Sequence, residues 1–203
     1  MSRFLHTVRP ELQTRDRRLL PWRRVAAIAW LLLAVGTGLA QQKASEYQVK
    51  AAYLYNFGRF VEWPASGVVQ NEVFTVCILG HDPFGPTLDS TLAGEMIGSK
   101  NVVAKRISSP QESSHCKILF MSADEASRLG KILESLDSEA ILTVSDMPAF
   151  SERGGMIQFV IEGNRIRFEI NLAATQKAGL TLSSELLKVA TAVRRNSGGD
   201  RTP

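Results

Sequence analysis

Residues 73–85 read VFTVCILGHDPFG, and this stretch decides the fold class. Its first seven residues are almost continuously apolar or β-branched, which predicts a strand that is buried on both faces. Strands of this kind are typical of parallel sheets covered by helices. The Gly-His-Asp-Pro-Phe-Gly sequence that follows ends the strand in a turn. We therefore expect an α/β domain built around this strand.

Helix and strand patterns alternate on both sides of this stretch. Ser45 can cap a helix that Pro64 ends. The apolar residues of that helix recur at helical spacing and face the core: Val49, Tyr53, Phe57, Phe60 and Val61. Further along, the patterns predict a helix over 86–92, a strand over 102–107 and a loop over 108–114. A strand over 117–121 follows, then a helix that Ser122 or Asp124 caps and that ends at Leu136, and then a strand over 141–144.

The last part of the chain predicts a hairpin and two helices. Strands over 156–161 and 166–170 flank Gly163-Asn164, a dipeptide typical of tight turns. Helices over 172–178 and 184–194 follow. The second helix directs four apolar residues inward: Leu186, Leu187, Ala190 and Val193. We expect right-handed βαβ units with the hairpin as antiparallel edge strands, hence a single α/β domain with a mixed, mostly parallel sheet flanked by helices.

The net charge of +4 is unevenly distributed. Residues 1–40 hold seven arginines and two acidic residues, a net charge of +5, whereas the remainder has 17 basic and 18 acidic residues, a net charge of −1. The apolar run VAAIAWLLLAV at 25–35 follows the arginines, and small residues precede Gln41. This order predicts a secretory signal peptide cleaved before Gln41. The run is shorter than the ~20 residues of a membrane anchor, and Arg17-Arg18 leaves the export route open.

The predicted organisation is therefore a signal peptide (1–40), one α/β domain (41–195) and a polar, Gly-rich, disordered tail (196–203). With 44% hydrophobic and 22% charged residues, the composition is that of an ordinary globular protein. The near-neutral domain gives no electrostatic reason to bind nucleic acid. We also expect no direct membrane insertion after the signal peptide is removed.

Export changes how the two cysteines are interpreted. Cys77 and Cys116 are even in number and belong to a chain bound for an oxidising compartment, where paired thiols tend to form a disulfide. We expect a Cys77–Cys116 bridge. Two independent buried cysteines are the alternative that the sequence leaves open.

No pattern in the sequence matches a metal, cofactor or catalytic motif. His81 and His115 have no neighbouring ligands at zinc spacing, and Gly154-Gly155 has the wrong context for a dinucleotide fingerprint. Some isolated polar side chains could take part in binding or catalysis: Asp82, Asp146, Glu162, Arg165, Arg167 and Glu169. We therefore assign no catalytic residue, no cofactor and no metal ligand, and expect a binding or regulatory protein rather than an enzyme.

Simpler roles account for most of these groups. His81 and Asp82 follow the first strand, where open α/β sheets bind ligands, but Asp82 can equally cap a turn and leave His81 exposed. The alternating hairpin charges are typical of a solvated face. Ser183-Ser184 with Glu185 resembles a helix cap, because no base is identifiable for a serine nucleophile.

Seven segments together resemble the YfiR-like family of periplasmic regulators. They occur in the family's order, span about residues 46 to 194, and lie at 50–64, 77–85, 116–120, 141–146, 154–159, 164–171 and 183–187. The first reads KAAYLYNFGRFVEWP, and the sixth NRIRFEIN. No single segment would suffice, but the ordered set is specific.

The resemblance implies a periplasmic α/β domain that forms a homodimer and represses an inner-membrane diguanylate cyclase of the YfiN type by binding its periplasmic sensor region. Release of that repression raises cyclic di-GMP and promotes biofilm. The family's bridge between the first core strand and the strand after the loop maps onto Cys77 and Cys116. Some members carry a second cysteine pair, where this chain has Met147, Phe150 and Ser151, so redox sensing through a second pair is not expected here.

Two other functions stay open on the sequence alone. A periplasmic module that binds a small ligand, serving another sensor or a transporter, could use the loops at 80–85, 122–125 and 145–155. An exported enzyme would need a composite site assembled from distant residues: His81, His115, Asp146 and Glu169.

Overall fold

The computed structural model describes residues 45–64, 73–137 and 139–195. The chain divides into two units, Met1–Lys43 and Ala44–Pro203, and all described residues lie in the second. The predicted signal peptide at 1–40 and the predicted disordered tail at 196–203 lie outside the described residues and stay predictions.

The described residues contain ten strands, which form two sheets. They are β1 (Val61–Glu62), β2 (Val73–Leu79), β3 (Met96–Ile97), β4 (Lys100–Ile107), β5 (Cys116–Met121), β6 (Leu142–Ser145), β7 (Ile157–Glu162), β8 (Arg165–Asn171), β9 (Thr181–Leu182) and β10 (Ala192–Arg194). Eight of them build the main sheet in the order β10-β8-β7-β6-β5-β2-β4-β3, and β1 pairs with β9 separately. All neighbours in the main sheet are parallel except β7–β8 and β3–β4. The predicted fold class, a mixed and mostly parallel sheet flanked by helices, is confirmed.

Helices cover both faces of this sheet. They are α1 (Glu46–Phe60), α2 (Pro86–Leu92), α3 (Leu129–Ser135), α4 (Leu172–Lys177) and α5 (Ser184–Val189), with 3-10 helices at Pro110–His115 and Ala123–Ser127. One core cluster lies between the sheet and α1, and a second lies between the sheet and α3. We call these two sides the α1 face and the α3 face.

The central strand β2 has the burial that its sequence predicts. Six of its seven residues are buried. Phe74, Val76 and Ile78 belong to the cluster on the α1 face, whereas Cys77 and Leu79 belong to the cluster on the α3 face. Alternate residues of a strand point to opposite faces, so β2 contributes to both cores at once.

The first helix begins where predicted and ends early. Ser45 caps it by accepting a hydrogen bond of 3.2 Å from the Gln48 amide. The helix ends at Phe60 rather than at Pro64, because Val61 and Glu62 are extended and pair with β9. The expectation that Pro64 ends the helix is wrong, since strand pairing ends it four residues earlier.

The predicted helix over 184–194 is also too long. Ser183 caps α5, which ends at Val189, and Ala190 is already extended. Residues 192–194 form β10 beside β8, so Val193 lies in a strand. The unpaired edge of β8 supplies hydrogen bonds that outweigh helical periodicity. The hairpin β7–β8 is therefore not the sheet edge that the sequence predicts, although its register around Gly163-Asn164 is confirmed.

Two further segments differ in detail from the sequence prediction. The predicted loop over 108–114 contains a 3-10 helix with a reciprocal capping box between Ser109 and Glu112. The helix predicted from Ser122 or Asp124 to Leu136 is divided into the second 3-10 helix and α3. Ser122 precedes the 3-10 helix without a side-chain cap, and Asp124 accepts a hydrogen bond from the His81 amide across the loop.

Candidate functional site

A buried lysine on α1 is the most distinctive polar feature of the described chain. Lys50 is only 2% exposed, and lysine is almost never buried unless it is paired. Its Nζ lies 2.6 Å from Asp146 Oδ2 and 2.5 Å from Glu46 Oε1. The Tyr47 hydroxyl donates a hydrogen bond of 3.1 Å to the same Asp146 oxygen. These four residues form the Lys50 cluster.

Two elements position the Lys50 cluster. The first turns of α1 carry Glu46, Tyr47 and Lys50, with Glu46 and Lys50 one helical turn apart. Asp146 directly follows β6, at the edge where the parallel strands end. The cluster therefore fixes the start of α1 to the loop after β6, which is 96 residues away in sequence.

The electrostatics of the cluster keep Lys50 and Tyr47 protonated, so neither side chain is poised as a base or a nucleophile. Burial opposes the charge on Lys50, but hydrogen bonds to Asp146 and Glu46 outweigh it and raise the pKa above its ordinary value of 10.5. Burial and the charge of Asp146 also raise the pKa of Tyr47. Lys50 Nζ lies 4.4 Å from the Tyr47 ring centroid, a favourable cation–π contact. Both groups keep their protons at neutral pH, so the cluster is built to hold structure.

Lys50 was not among the core residues predicted from the sequence. The apolar pattern predicted a core-facing stripe without Lys50, whereas the buried positions of α1 are Lys50, Ala51, Leu54, Phe57 and Gly58. Of the predicted stripe, Phe57 and Val61 are buried and the others are half-buried. The spacing of Glu46 and Lys50, one turn apart at the start of a helix, was the available signal.

His81 and Asp82 occupy an ordinary turn. Asp82 Oδ1 accepts a hydrogen bond of 2.8 Å from the Phe84 amide, and its other oxygen accepts from Arg106. His81 is exposed. The interpretation of Asp82 as a turn cap is confirmed, and Ser183 likewise caps α5 by accepting from the Leu186 amide at 3.2 Å.

The residues of the imagined composite enzyme site do not converge. His115 lies just before β5 and Asp146 just after β6. Because these two strands are parallel neighbours, the two residues lie at opposite ends of the sheet. Glu169 accepts a hydrogen bond from Ser151 and lies 3.8 Å from Arg194. The composite site is therefore wrong.

The hairpin charges lie mostly in solvent. Glu162 and Arg165 are exposed and face each other across the turn, while Arg167 and Glu169 are half-buried. Opposite charges directly across an antiparallel pair stabilise it modestly. This arrangement agrees with a solvated face and supplies no reactive pair.

A cleft of about 1180 Å³ opens between α3, the loop after β6, α4 and β10. Two ion pairs are formed by residues that line it: Lys177 with Asp137 at 2.8 Å, and Arg194 with Glu152 at 2.7 Å. The cleft is lined by part of the loop at 145–155, but not by the loops at 80–85 or 122–125. Instead, Asp124 and the His81 amide join those two loops directly.

Cys77 and Cys116 form a disulfide in the structure, with their Cα atoms 5.8 Å apart. It joins the neighbouring parallel strands β2 and β5 on the α3 face, and both cysteines are buried. Within the described ranges, no group of three or more His, Cys, Asp or Glu residues could hold a metal ion. In that same part of the chain, no helix has the length and hydropathy needed to cross a membrane.

The comparison with protein families decides the assignment. The sequence pattern of the family described as YfiR/HmsC-like matches residues 47–191, which is most of the chain. This chain belongs to the YfiR/HmsC-like family. The match begins at Tyr47 in α1 and ends before β10, so it includes Lys50, both cysteines and Asp146.

The solved structures resemble this YfiR/HmsC-like chain less closely than the family pattern does. A conserved domain protein from Vibrio cholerae O1 biovar El Tor has 11% sequence identity and a TM-score of 0.49, over 74% of this chain and 60% of its own. An ABC domain from Streptococcus pneumonia, solved in complex with L-Trp, has 16% identity and a TM-score of 0.44, over 62% and 56%. The chain thus spans less than two thirds of both, and neither likeness informs its function.

Proposed function

We propose that this chain is a periplasmic regulatory protein that represses an inner-membrane diguanylate cyclase by binding the cyclase's periplasmic sensor region. Repression of this kind lowers cyclic di-GMP and biofilm formation. The family match over residues 47–191 carries the proposal, because it supports a periplasmic regulator at the level of the family. Family membership also favours a regulator over an enzyme.

The export and assembly of the chain belong to the same proposal. Residues 1–40 act as a signal peptide that is removed before Gln41, the domain at 41–195 folds in the periplasm, and the tail at 196–203 stays disordered. The folded domain acts as a homodimer. The buried Cys77–Cys116 bridge is compatible with an oxidising compartment.

Deletion of this chain is expected to raise cellular cyclic di-GMP and biofilm. The reason is that the cyclase loses its repressor while its own expression is unchanged. The measurement is cyclic di-GMP by mass spectrometry in three strains: the deletion, the deletion complemented with the full chain, and the deletion complemented with a chain that lacks residues 2–40. Only the full chain should restore the low level, and its amino-terminal residue after export should be Gln41.

The matched truncation tests whether export is needed, because a chain kept in the cytoplasm lacks both the periplasmic location and the oxidising conditions that form the disulfide. It retains every residue of the domain, so a failure to restore repression would come from the missing export signal. Unchanged cyclic di-GMP in the deletion strain contradicts the proposed repression. The second candidate, a periplasmic module that binds a small ligand, would then rest on the cleft beside α3 and α4.

A further inference from the structure

One edge of the main sheet is left open among the described residues. β3 pairs with β4 only at Lys100 and Asn101, and the Val102 amide then donates to the Glu95 carbonyl at 3.0 Å. Gly94, with φ of 78°, lies just before Glu95 where the chain enters this pairing. Beyond Val102, the outer side of β4 pairs with no other described strand.

The backbone of this edge is ready to bond a further strand. Both polar groups of a strand residue point to the same side, and the side alternates from one residue to the next. Since the Val102 amide points outward, the amides and carbonyls of Ala104 and Arg106 also point outward. An ordered, exposed strand with unpaired groups is a template for strand addition by another chain.

The positive charge on the open part of this edge is that of Lys105, since Lys100 lies at the start of β4 beside β3 and Lys117 lies on β5, beyond β2. Lys105 is exposed on the α3 face of β4, beside Val103, which is 37% exposed. Within residues 45–64, 73–137 and 139–195, no ion pair involves Lys105, Lys100 or Lys117. Burial lowers the pKa of Lys117, and the charge of Lys100 lowers it further. The unpaired charge of Lys105 therefore favours an anionic group beside it.

The neighbouring charges leave Lys105 without an acidic partner. Arg106, on the opposite face, pairs with Asp82 at 2.9 Å and Asp89 at 2.7 Å, so its charge is more than balanced there. Glu95 lies near the Tyr55 hydroxyl, whose pKa it raises, and that hydroxyl donates a hydrogen bond of 3.3 Å to the Met96 carbonyl. Of the charged side chains on β4 beyond Val102, Lys105 is thus the one that offers a charge to a bound strand.

A second copy of this chain is a poor occupant of the edge. If two β4 strands paired antiparallel about a two-fold axis near Ala104, the two Lys105 side chains would face each other or lie diagonally on one face. Like charges in these positions destabilise the pair. An added strand with acidic residues on that face would instead place carboxylates beside Lys105.

We propose that the outer edge of β4, residues 103–107, binds an extended acidic segment of a protein partner by strand addition. Ala104 and Arg106 supply the main-chain hydrogen bonds, and Lys105 with Val103 selects a segment with acidic residues on the α3 face. The identification of that partner as the cyclase sensor region rests on the proposed function, but the binding surface does not.

Two variants and one matched control test this surface. Lys105→Glu reverses the selecting charge, and Ala104→Pro removes an outward amide without touching the bonds to β2. Lys188→Glu is the control and makes the same charge change on α5. Lys188 is exposed and forms no ion pair among the described residues. Circular dichroism and thermal unfolding establish that each variant folds.

The probe is a fluorescent synthetic peptide in which glutamate and valine alternate, with a lysine–valine peptide as its counterpart. At low salt, the unmodified protein should bind the glutamate peptide and not the lysine peptide. Lys105→Glu should weaken that binding about tenfold or more, and Lys188→Glu should leave it within about twofold. Hydrogen exchange should show the Ala104 and Arg106 amides slowed by the glutamate peptide.

Equal binding by Lys105→Glu and the unmodified protein, or unprotected amides at Ala104 and Arg106, would overturn the proposal. Lys105-dependent binding to phosphatidylglycerol vesicles without amide protection would also overturn it, in favour of a membrane surface. The glutamate peptide could protect these amides while the deletion strain shows unchanged cyclic di-GMP. That combination would support the strand-addition site and reject the cyclase as its partner.

Discussion

Replacement of Lys50 by methionine is expected to lower the free energy of unfolding by about 3 kcal/mol. Methionine keeps the apolar stem of the side chain but leaves Asp146, whose side chain is 15% exposed, with only the Tyr47 hydroxyl as a bonding partner in the cluster. Removing one partner of a buried ion pair costs more than the pair itself contributes, because the remaining charge is desolvated without compensation. Urea denaturation of the purified domain measures the change.

A double-variant cycle separates the pair from the rest of the cluster. Asp146→Asn in the Lys50→Met background should recover part of the lost stability, since the uncompensated charge is then gone. Lys188→Met, at an exposed position of α5, is the matched control and should change stability by less than about 0.5 kcal/mol. Additive effects of the two cluster variants would contradict the coupling.

The pH dependence of stability follows from the same pair. The folded-state pKa of Lys50 lies above its ordinary value of 10.5, so the stabilisation is fully present below about pH 10 and is lost as the pH rises through the folded-state pKa. The stability difference between the unmodified domain and Asp146→Asn should therefore stay constant up to about pH 10 and shrink above it. In the neutral range Lys50 stays protonated, so its contribution to stability should not change with pH.

Sequence reasoning predicted the central elements well because their hydrophobic pattern and their burial agree. The strand at 73–79, the helix at 86–92 and the hairpin turn at Gly163-Asn164 lie where the sequence places them. Each is determined locally, by a continuous apolar run, by a proline at a helix start or by two residues that tolerate positive φ. Asn164 and Gly163 have φ of 62° and 54°, as a tight hairpin turn requires.

The errors occur where a distant partner decides the local structure. β1 replaces the end of a helix because β9 pairs with it, and β10 replaces another because β8 would otherwise have an unpaired edge. In both places the residues have helical spacing, but strand hydrogen bonds outweigh it. Neither pairing partner is near in sequence, so periodicity within a window could not predict the outcome.

The candidate site was harder to predict than the fold, for a related reason. Lys50 and Asp146 are 96 residues apart, and each alone resembles an ordinary surface charge. Only the packing of α1 over the end of β6 brings them together and excludes water. The open edge of β4 could not be predicted either. The sequence predicts a strand there, but it does not predict that β3 pairs with only the first two residues of β4.

Removal of the Cys77–Cys116 disulfide is expected to lower the free energy of unfolding by about 4 kcal/mol. The two cysteines are 39 residues apart in sequence, and closing a loop of that length in the unfolded chain accounts for this magnitude in the loop-entropy description. The test compares the Cys77→Ala, Cys116→Ala double variant with the unmodified domain by urea denaturation. The domain should still fold, because its two core clusters contain many other buried residues.

Reductant supplies the internal control for this variant. Dithiothreitol should lower the urea midpoint of the unmodified domain almost to that of the double variant and leave the double variant unchanged, which separates the bridge from the packing of the sulfur atoms. The bridge also closes the segment that contains α2, β3 and β4. Hydrogen exchange at the β4 amides should therefore speed up on reduction more than exchange in the hairpin β7–β8. A midpoint that does not respond to reductant, with free thiols found by mass spectrometry, would mean that the bridge does not form in the exported protein.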